Sequence, residues 1–377
     1  MTARRGHNEG TIYRRPNGKF QAQISLPDGT RKTFTAATKR DVQRLLQEAK
    51  LSTAQGITPI SERRKVAEYL DWWLETITPS IRYSTVRSYA TNIDGLDRHI
   101  GRVRLDALTP MHIQTCYSKL LAEGLSPRSV ELAHVVLHAS LRHAVKLGLL
   151  RANPTDAVVP PRPGRRELAT LTTDELGRLF AAAPTPGFKT LLMLLSTSGL
   201  RIGEALGLKW SDVDLDGRSL AVRRAIQRQR GKGLVFIETK TAASRRTVHL
   251  TSMVVDALLE HRARQERERY LVGRAWRETD VVFASGVGTP LNPENISQRF
   301  QRVVEQAGVS RISLHGLRHT AATLLLEEGV HPRVVQEMLG HSSINLTLST
   351  YSHVMPTMHR EAASKIDALF THSHVLE

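Results

Sequence analysis

The chain has 377 residues, of which 40% are hydrophobic, enough for two or three domains with cores of their own. Its formal charge of +17 and sequence pI of about 10.4 make a field that attracts polyanions, so nucleic acid leads the partner classes. Cys116 is the single cysteine, which excludes an intrachain disulfide and a cysteine-based zinc cluster.

In chain order, residues 11–52 predict a small unit of three strands and a helix. Residues 11–14 suit a strand, and Pro16-Asn17-Gly18 is a turn. Phe20, Ala22, Ile24 and Leu26 alternate with Gln21, Gln23 and Ser25, the period of a half-buried strand. Pro27-Asp28-Gly29 turns the chain into a third strand over 31–35. Val42, Leu45, Leu46 and Ala49 then recur at helical spacing. Arg14, Arg15, Lys19, Arg31 and Lys32 flank the strands. A basic β-ribbon of this size can read the major groove, although a solvated charged face would have the same composition.

Residues 53–61 form a linker, and 65–153 read as wholly helical. Thr109-Pro110 and Ser126-Pro127 each pair an N-cap with proline at the first helical position. Arg82, Arg87, Arg98, Lys119, Arg128 and Arg142 give this domain a basic exterior, and Ile113, Tyr117 and Leu120 put Cys116 in its core. It contains no catalytic constellation. A proline-rich basic linker, VPPRPGRR, follows at 159–166.

Beyond it, Thr172 to Glu175 make a capping box for a helix with Leu176, Leu179 and Phe180. A helix over 189–196 leads to Gly199, whose turn presents Arg201. Residues 219–226, 234–239 and 245–250 predict a three-strand meander, with Lys240 at the turn before its last strand. Helices over 252–269, 294–307 and 360–369 complete the pattern, together with the segment 314–351. That segment gathers His315, Arg318, His341 and Tyr351 around an apolar helical body. His315 and Arg318, three apart, share a helix face. Gly329 suits a helix stop, Pro332 a helix start and Gly340 a second stop. Two imidazoles, a guanidinium and a phenol so arranged suit chemistry on an anion.

His315 and His319 are four apart, like two zinc ligands of a metalloprotease helix. Gly316 stands where that motif needs glutamate and Arg318 would repel a cation, so neither metal nor cofactor is expected. The longest apolar run, 191–195, is far too short to cross a bilayer, and the first ten residues have no apolar leader. These point to a cytoplasmic protein without a membrane partner.

TSGLRIGEALGL around Arg201, TKTAASRRTV around Lys240, HGLRHTAAT, LGHSS and Tyr351 occur in the order of the tyrosine recombinase (phage integrase) family, which the chain resembles closely from residue 170 onward. The resemblance implies an arm-type DNA-binding α+β domain at 1–56 and an all-α core-binding domain at 62–157. A linker at 158–168 and a mainly α catalytic domain with a small antiparallel sheet at 169–377 follow. It implies a homotetramer on double-stranded DNA with core and arm sites, and leaves room for host bending or directionality factors. Recombinases that only resolve chromosome dimers usually lack the arm module, which favours the integrase of a phage or integrative element.

Rejoining a phosphodiester without losing bond energy needs a covalent intermediate. The resemblance makes Tyr351 the nucleophile, leaving a 3′-phosphotyrosyl link and a free 5′-hydroxyl. Arg201 and Arg318 match the arginine pair on the non-bridging oxygens, where a planar guanidinium donates two parallel hydrogen bonds. Glu204 matches the carboxylate that orients the arginines or the histidine. Lys240 matches the general acid for the leaving oxygen, with Arg245 and Arg246 as competing cations. His315 would assist proton transfer or bond the phosphate, and His341 would donate to it. Two other readings share parts of this pattern. A type IB topoisomerase uses the same chemistry, and a non-catalytic DNA-binding regulator would use the helix-turn-helix-like connection at 329–340.

Overall fold

The computed structural model describes residues 11–25, 31–54, 64–164, 169–238 and 245–340, together with 343–345, 348, 363 and 367. The chain divides into two compact units, Met1–Arg165 and Arg166–Glu377.

The first unit begins with the antiparallel sheet β1 (Thr11–Arg14), β2 (Phe20–Ser25) and β3 (Arg31–Ala36), with β2 in the middle. Helix α1 (Lys39–Ala54) covers it, and Ala22, Ile24, Val42, Leu46 and Ala49 form the core between them. The alternation puts Ala22 and Ile24 inside, as expected. Gln21 departs from it, being buried although it belongs to the polar face. As a residue of the central strand it is flanked by Tyr13 on one side and Thr35 on the other.

The helical part comprises α2 (Val66–Ile77), α3 (Tyr83–Ile100), α4 (Pro110–Ala122) and α5 (Pro127–Lys146). Thr109 and Ser126 cap α4 and α5 as the sequence predicts, each side-chain oxygen accepting from a first-turn N–H. Apolar residues on all four helices, among them Leu70, Ile93, Leu96, Leu120, Leu137 and Leu141, bury against one another. Each fully buried aliphatic side chain contributes about 1.5–3 kcal/mol over its exposed state. Cys116 lies in this core.

The second unit opens with α6 (Thr173–Ala181), its Thr172–Glu175 capping box formed. Helix α7 (Pro186–Ser198) carries the apolar run into the largest core, and α8 (Ile202–Leu206) follows after one turn. The expected meander is not one sheet. Strand β4 (Val213–Asp214) pairs with β5 (Ser219–Val222), and β5 pairs with β8 (Arg246–His249). Strands β6 (Arg224–Gln229) and β7 (Gly233–Glu238) form a separate hairpin. The stretch read as one strand breaks at Arg223, where a buried carboxylate, Asp212, binds Arg224 and lies 3.7 Å from the Arg223 Nε. The break lets Leu220 pair with Val248 on the buried face of one sheet while Ile226 pairs with Phe236 in the other.

Helices α9 (Ser252–Val272), α10 (Pro293–Ala307), α11 (Leu314–Glu327) and α12 (Pro332–Leu339) complete the unit. Gly329 and Gly340 take positive φ at the ends of α11 and α12, and Pro332 opens α12. Ala322, Leu326, Val335 and Leu339 pack these two helices together. The turn at 27–29 and most of the linker at 53–61 lie outside the described residues. So do the meander turn at 239–244 and most of the expected helix at 360–369. Among the described residues no helix is long and apolar enough to cross a membrane.

Candidate active site

Three local decisions bring the site together. Helix α7 ends at Gly199, whose φ of 63° is the left-handed conformation glycine adopts without strain. A Cβ there would come within 2.6 Å of Leu339 Cδ2, so the close approach of α12 demands glycine as well. Arg201 then takes extended backbone at the mouth of α8. Its N–H donates to Glu204 Oε2 at 3.0 Å, and its Nη1 to Glu204 Oε1 at 2.8 Å. Finally, Ser313 caps α11 by accepting from the Gly316 N–H, which sets His315 and Arg318 in the first turns.

Exposure differs sharply across the cluster. The Arg201 side chain is 43% exposed, while the Glu204 side chain beneath it is 5% exposed. His315 opens to solvent, and Arg318 is 1% exposed. Arg318 is held by carbonyls: Nη1 donates to Gly199 O and Nη2 to Leu339 O, each at 2.6 Å. A guanidinium stays protonated even here, so the cation is buried and its plane is fixed.

These charges shape their neighbours. Surrounding protein strips hydration from the His315 ring, and with the Arg318 and Arg201 charges this lowers its pKa below the usual histidine value. Burial, then His315 and Arg318, brings His319 down to about 4. The two rings meet edge to face, their centroids 4.7 Å apart. Burial alone would raise the Glu204 carboxyl. The hydrogen bond and charge of Arg246, followed by those of Arg201, outweigh burial and hold it below the usual carboxylate range.

Arg201, Glu204, His315 and Arg318 are thus brought together. Lys240, His341 and Tyr351 lie outside the described residues. Arg246, read from the sequence only as a rival to Lys240, is buried against Glu204, whereas Arg245 is exposed and 3.7 Å from Glu238. Period two along β8 was the available signal, since it puts Arg246 on the inward face with Val248, where a charge needs an acidic partner. Among the described residues no group of histidine, cysteine and carboxylate side chains could hold a metal ion.

Fixed guanidiniums beside a neutral imidazole suit a phosphate, and on a chain of charge +17 the phosphate that matters is that of DNA. Residues 169–358 match the Phage integrase family, and residues 65–121 match the phage integrase N-terminal SAM-like domain. The tyrosine recombinase XerC-like protein of Caldanaerobacter subterraneus subsp. tengcongensis is 29% identical over 96% of this chain and 95% of its own. The tyrosine recombinase XerD of Corynebacterium glutamicum is 32% identical over 79% of this chain and 88% of its own. Among solved structures, the Tn1549 transposon integrase in complex with transposon right end DNA superposes with a TM-score of 0.70. It is 19% identical over 79% of this chain and 99% of that one. A lambda integrase tetramer bound to a Holliday junction gives 0.58 at 20% identity, covering 92% of this chain and 96% of that one.

The chain belongs to the phage integrase family, the tyrosine recombinases. It is a site-specific recombinase, an enzyme of DNA strand exchange.

Proposed function

We propose that this recombinase is the integrase of a phage or integrative element and that it works through a covalent 3′-phosphotyrosyl intermediate. The observation that carries the reading is the cluster in which Glu204 fixes Arg201 next to His315 and the buried Arg318. In this reading Arg201 and Arg318 hold the non-bridging oxygens of the scissile phosphate. Their hydrogen bonds strengthen as charge builds in the transition state, a contribution of about 3–4 kcal/mol per donor by analogy with oxyanion holes.

Tyr351 attacks the phosphorus, breaking the bond to the 5′-oxygen. His315, whose lowered pKa keeps it neutral near pH 7, assists removal of the phenolic proton or bonds the phosphate. His341 donates to the same phosphate, and Lys240 gives the 5′-oxygen its proton. Glu204 keeps the arginine in its orientation. The free 5′-hydroxyl of a second duplex then attacks the phosphotyrosine, and the phenoxide leaves. Four copies on two duplexes supply the exchange, as the lambda integrase tetramer on its Holliday junction supports.

The division of labour runs through the domains: residues 1–56 read arm sites, 62–157 clamp the core site, 158–168 link, and 169–377 perform the chemistry. The protein acts on the host chromosome in the cytoplasm, with host bending or directionality factors as further partners. The test is a nicked attachment-site duplex incubated with the full chain. Wild type should leave a protein–DNA adduct that survives denaturation, and Tyr351→Phe should bind the duplex without forming one. An adduct in the variant would remove Tyr351 from its role. Adduct formation followed by supercoil relaxation, without exchange between two sites, would make the enzyme a topoisomerase instead.

A further inference from the structure

Arg246 makes three contacts with one planar group. Its Nη2 lies 2.8 Å from Glu204 Oε2 and its Nη1 3.5 Å from Glu204 Oε1, while its Nε donates to Met338 O at 2.7 Å. The side chain is 6% exposed, and its donors are taken up by Glu204 and Met338. Met338 O and Leu339 O are neighbouring carbonyls at the C-terminal end of α12, where helices leave acceptors without intrahelical partners. Arg246 takes the first and Arg318 the second. Cations are favoured at that end of a helix.

We propose that Arg246 is a positioning residue of the strand-exchange site, fixing Arg201 through Glu204 and holding the C-terminal end of α12 against β8. The inference rests on the reading of those residues given above. It assigns Arg246 a task no lysine can perform, because a single ammonium lacks the flat, divergent donors that reach a carboxylate and a carbonyl together. The charge on Glu204 depends on the same contact. Among the described residues, the charged groups facing Glu204 are Arg246 from β8 and Arg201 from its own turn. Charges on the neighbouring elements are committed elsewhere: Arg224 of β6 to Asp212, Arg228 of β6 to Glu294 of α10, and Arg333 to Glu337 within α12. Without Arg246, burial dominates and the Glu204 carboxyl rises. The charged form that holds Arg201 is then lost as pH falls through the raised value.

The experiment measures adduct formation on a nicked attachment-site duplex from pH 6 to 9, with binding followed by gel shift and folding by thermal melting. Arg246→Met should slow the adduct step on the order of 100-fold at pH 7, the effect of a small misplacement of reacting groups. It should leave duplex binding within about threefold and recover part of the rate at higher pH. Adding Glu204→Gln should remove that pH-dependent limb. Arg246→Lys keeps a cation beside Glu204, so it should be slowed without acquiring the limb, and it decides the matter if the methionine variant does not fold. Wild-type rates and pH profile in both variants, or in the lysine variant when the other does not fold, would overturn the inference. Absence of an adduct in wild type would instead overturn the function on which it rests.

Discussion

The helical region at 64–164 and the recombinase unit from residue 169 onward are both built from capped helices around apolar cores, yet they bury different things. In the helical region the buried polar groups are small and neutral: Ser140, Asn153 and Thr155 bond nearby backbone or each other. The recombinase unit buries Glu204, Asp212 and Arg318, which, with Arg246, place full charges away from water. Burying charge costs several kcal/mol per ion unless partners compensate. The contrast separates a region selected for holding together from one that accepts strain so that groups stand ready for an incoming phosphate.

The largest expected effect breaks this compensation. Glu204→Ala leaves the Arg246 guanidinium without its carboxylate, and removing one partner of a buried pair costs about 3–5 kcal/mol. Urea unfolding of the full chain should show that loss in the recombinase unit. Cys116 reports the other region separately. It is the single thiol, buried in the helical core, and burial, followed by the Glu123 charge, pushes its pKa up to about 11. Its alkylation rate should therefore be unchanged by Glu204→Ala. An accelerated rate would mean that the two regions unfold together.

Acid gives the next effect. His319 is held neutral at about 4, below the value of about 6.5 for an unfolded histidine. The unfolded chain therefore binds more protons between those values. This stabilisation is complete above pH 6.5 and shrinks as pH falls toward 4. Between pH 7 and 5 the loss from this group is about 2 kcal/mol, measurable as a drop in melting temperature that His319→Gln makes smaller, His315 and His261 keeping part of it. An undiminished slope in that variant would assign the effect to those other groups. The smallest effect belongs to the helical region, where the Tyr69 hydroxyl donates to Ser140 O at 2.6 Å. Tyr69→Phe should cost about 1 kcal/mol, with cleavage of the nicked duplex unaffected.

Much of this was legible in the chain. Thr109, Ser126 and Thr172 announced their helices because a cap is a local event, settled within four residues. Arg201, Glu204, His315 and Arg318 were legible because their spacing matched a family, not because the spacing itself implies convergence. The sheet arrangement was harder to read. Whether 219–226 runs straight or breaks at Arg223 depends on Asp212, which the chain brings back from outside the strand. Arg246 faced the same obstacle, since its partners sit 42 residues before and 92 after it in sequence. Gln21 deceived the alternation because its neighbours on both flanking strands, Tyr13 and Thr35, are not adjacent to it in sequence.

The buried Arg318 has a consequence for the direction of the reaction. A guanidinium does not exchange its proton during turnover, and here its plane is pinned by two backbone carbonyls. In its proposed role it presents the same field to the phenol attacking DNA and to the hydroxyl that reverses the attack. A permanent cation of this kind lowers the barrier equally from both sides and favours neither product. The bias toward integration or excision then has to come from how the DNA ends are assembled, not from the pocket in which they are cut.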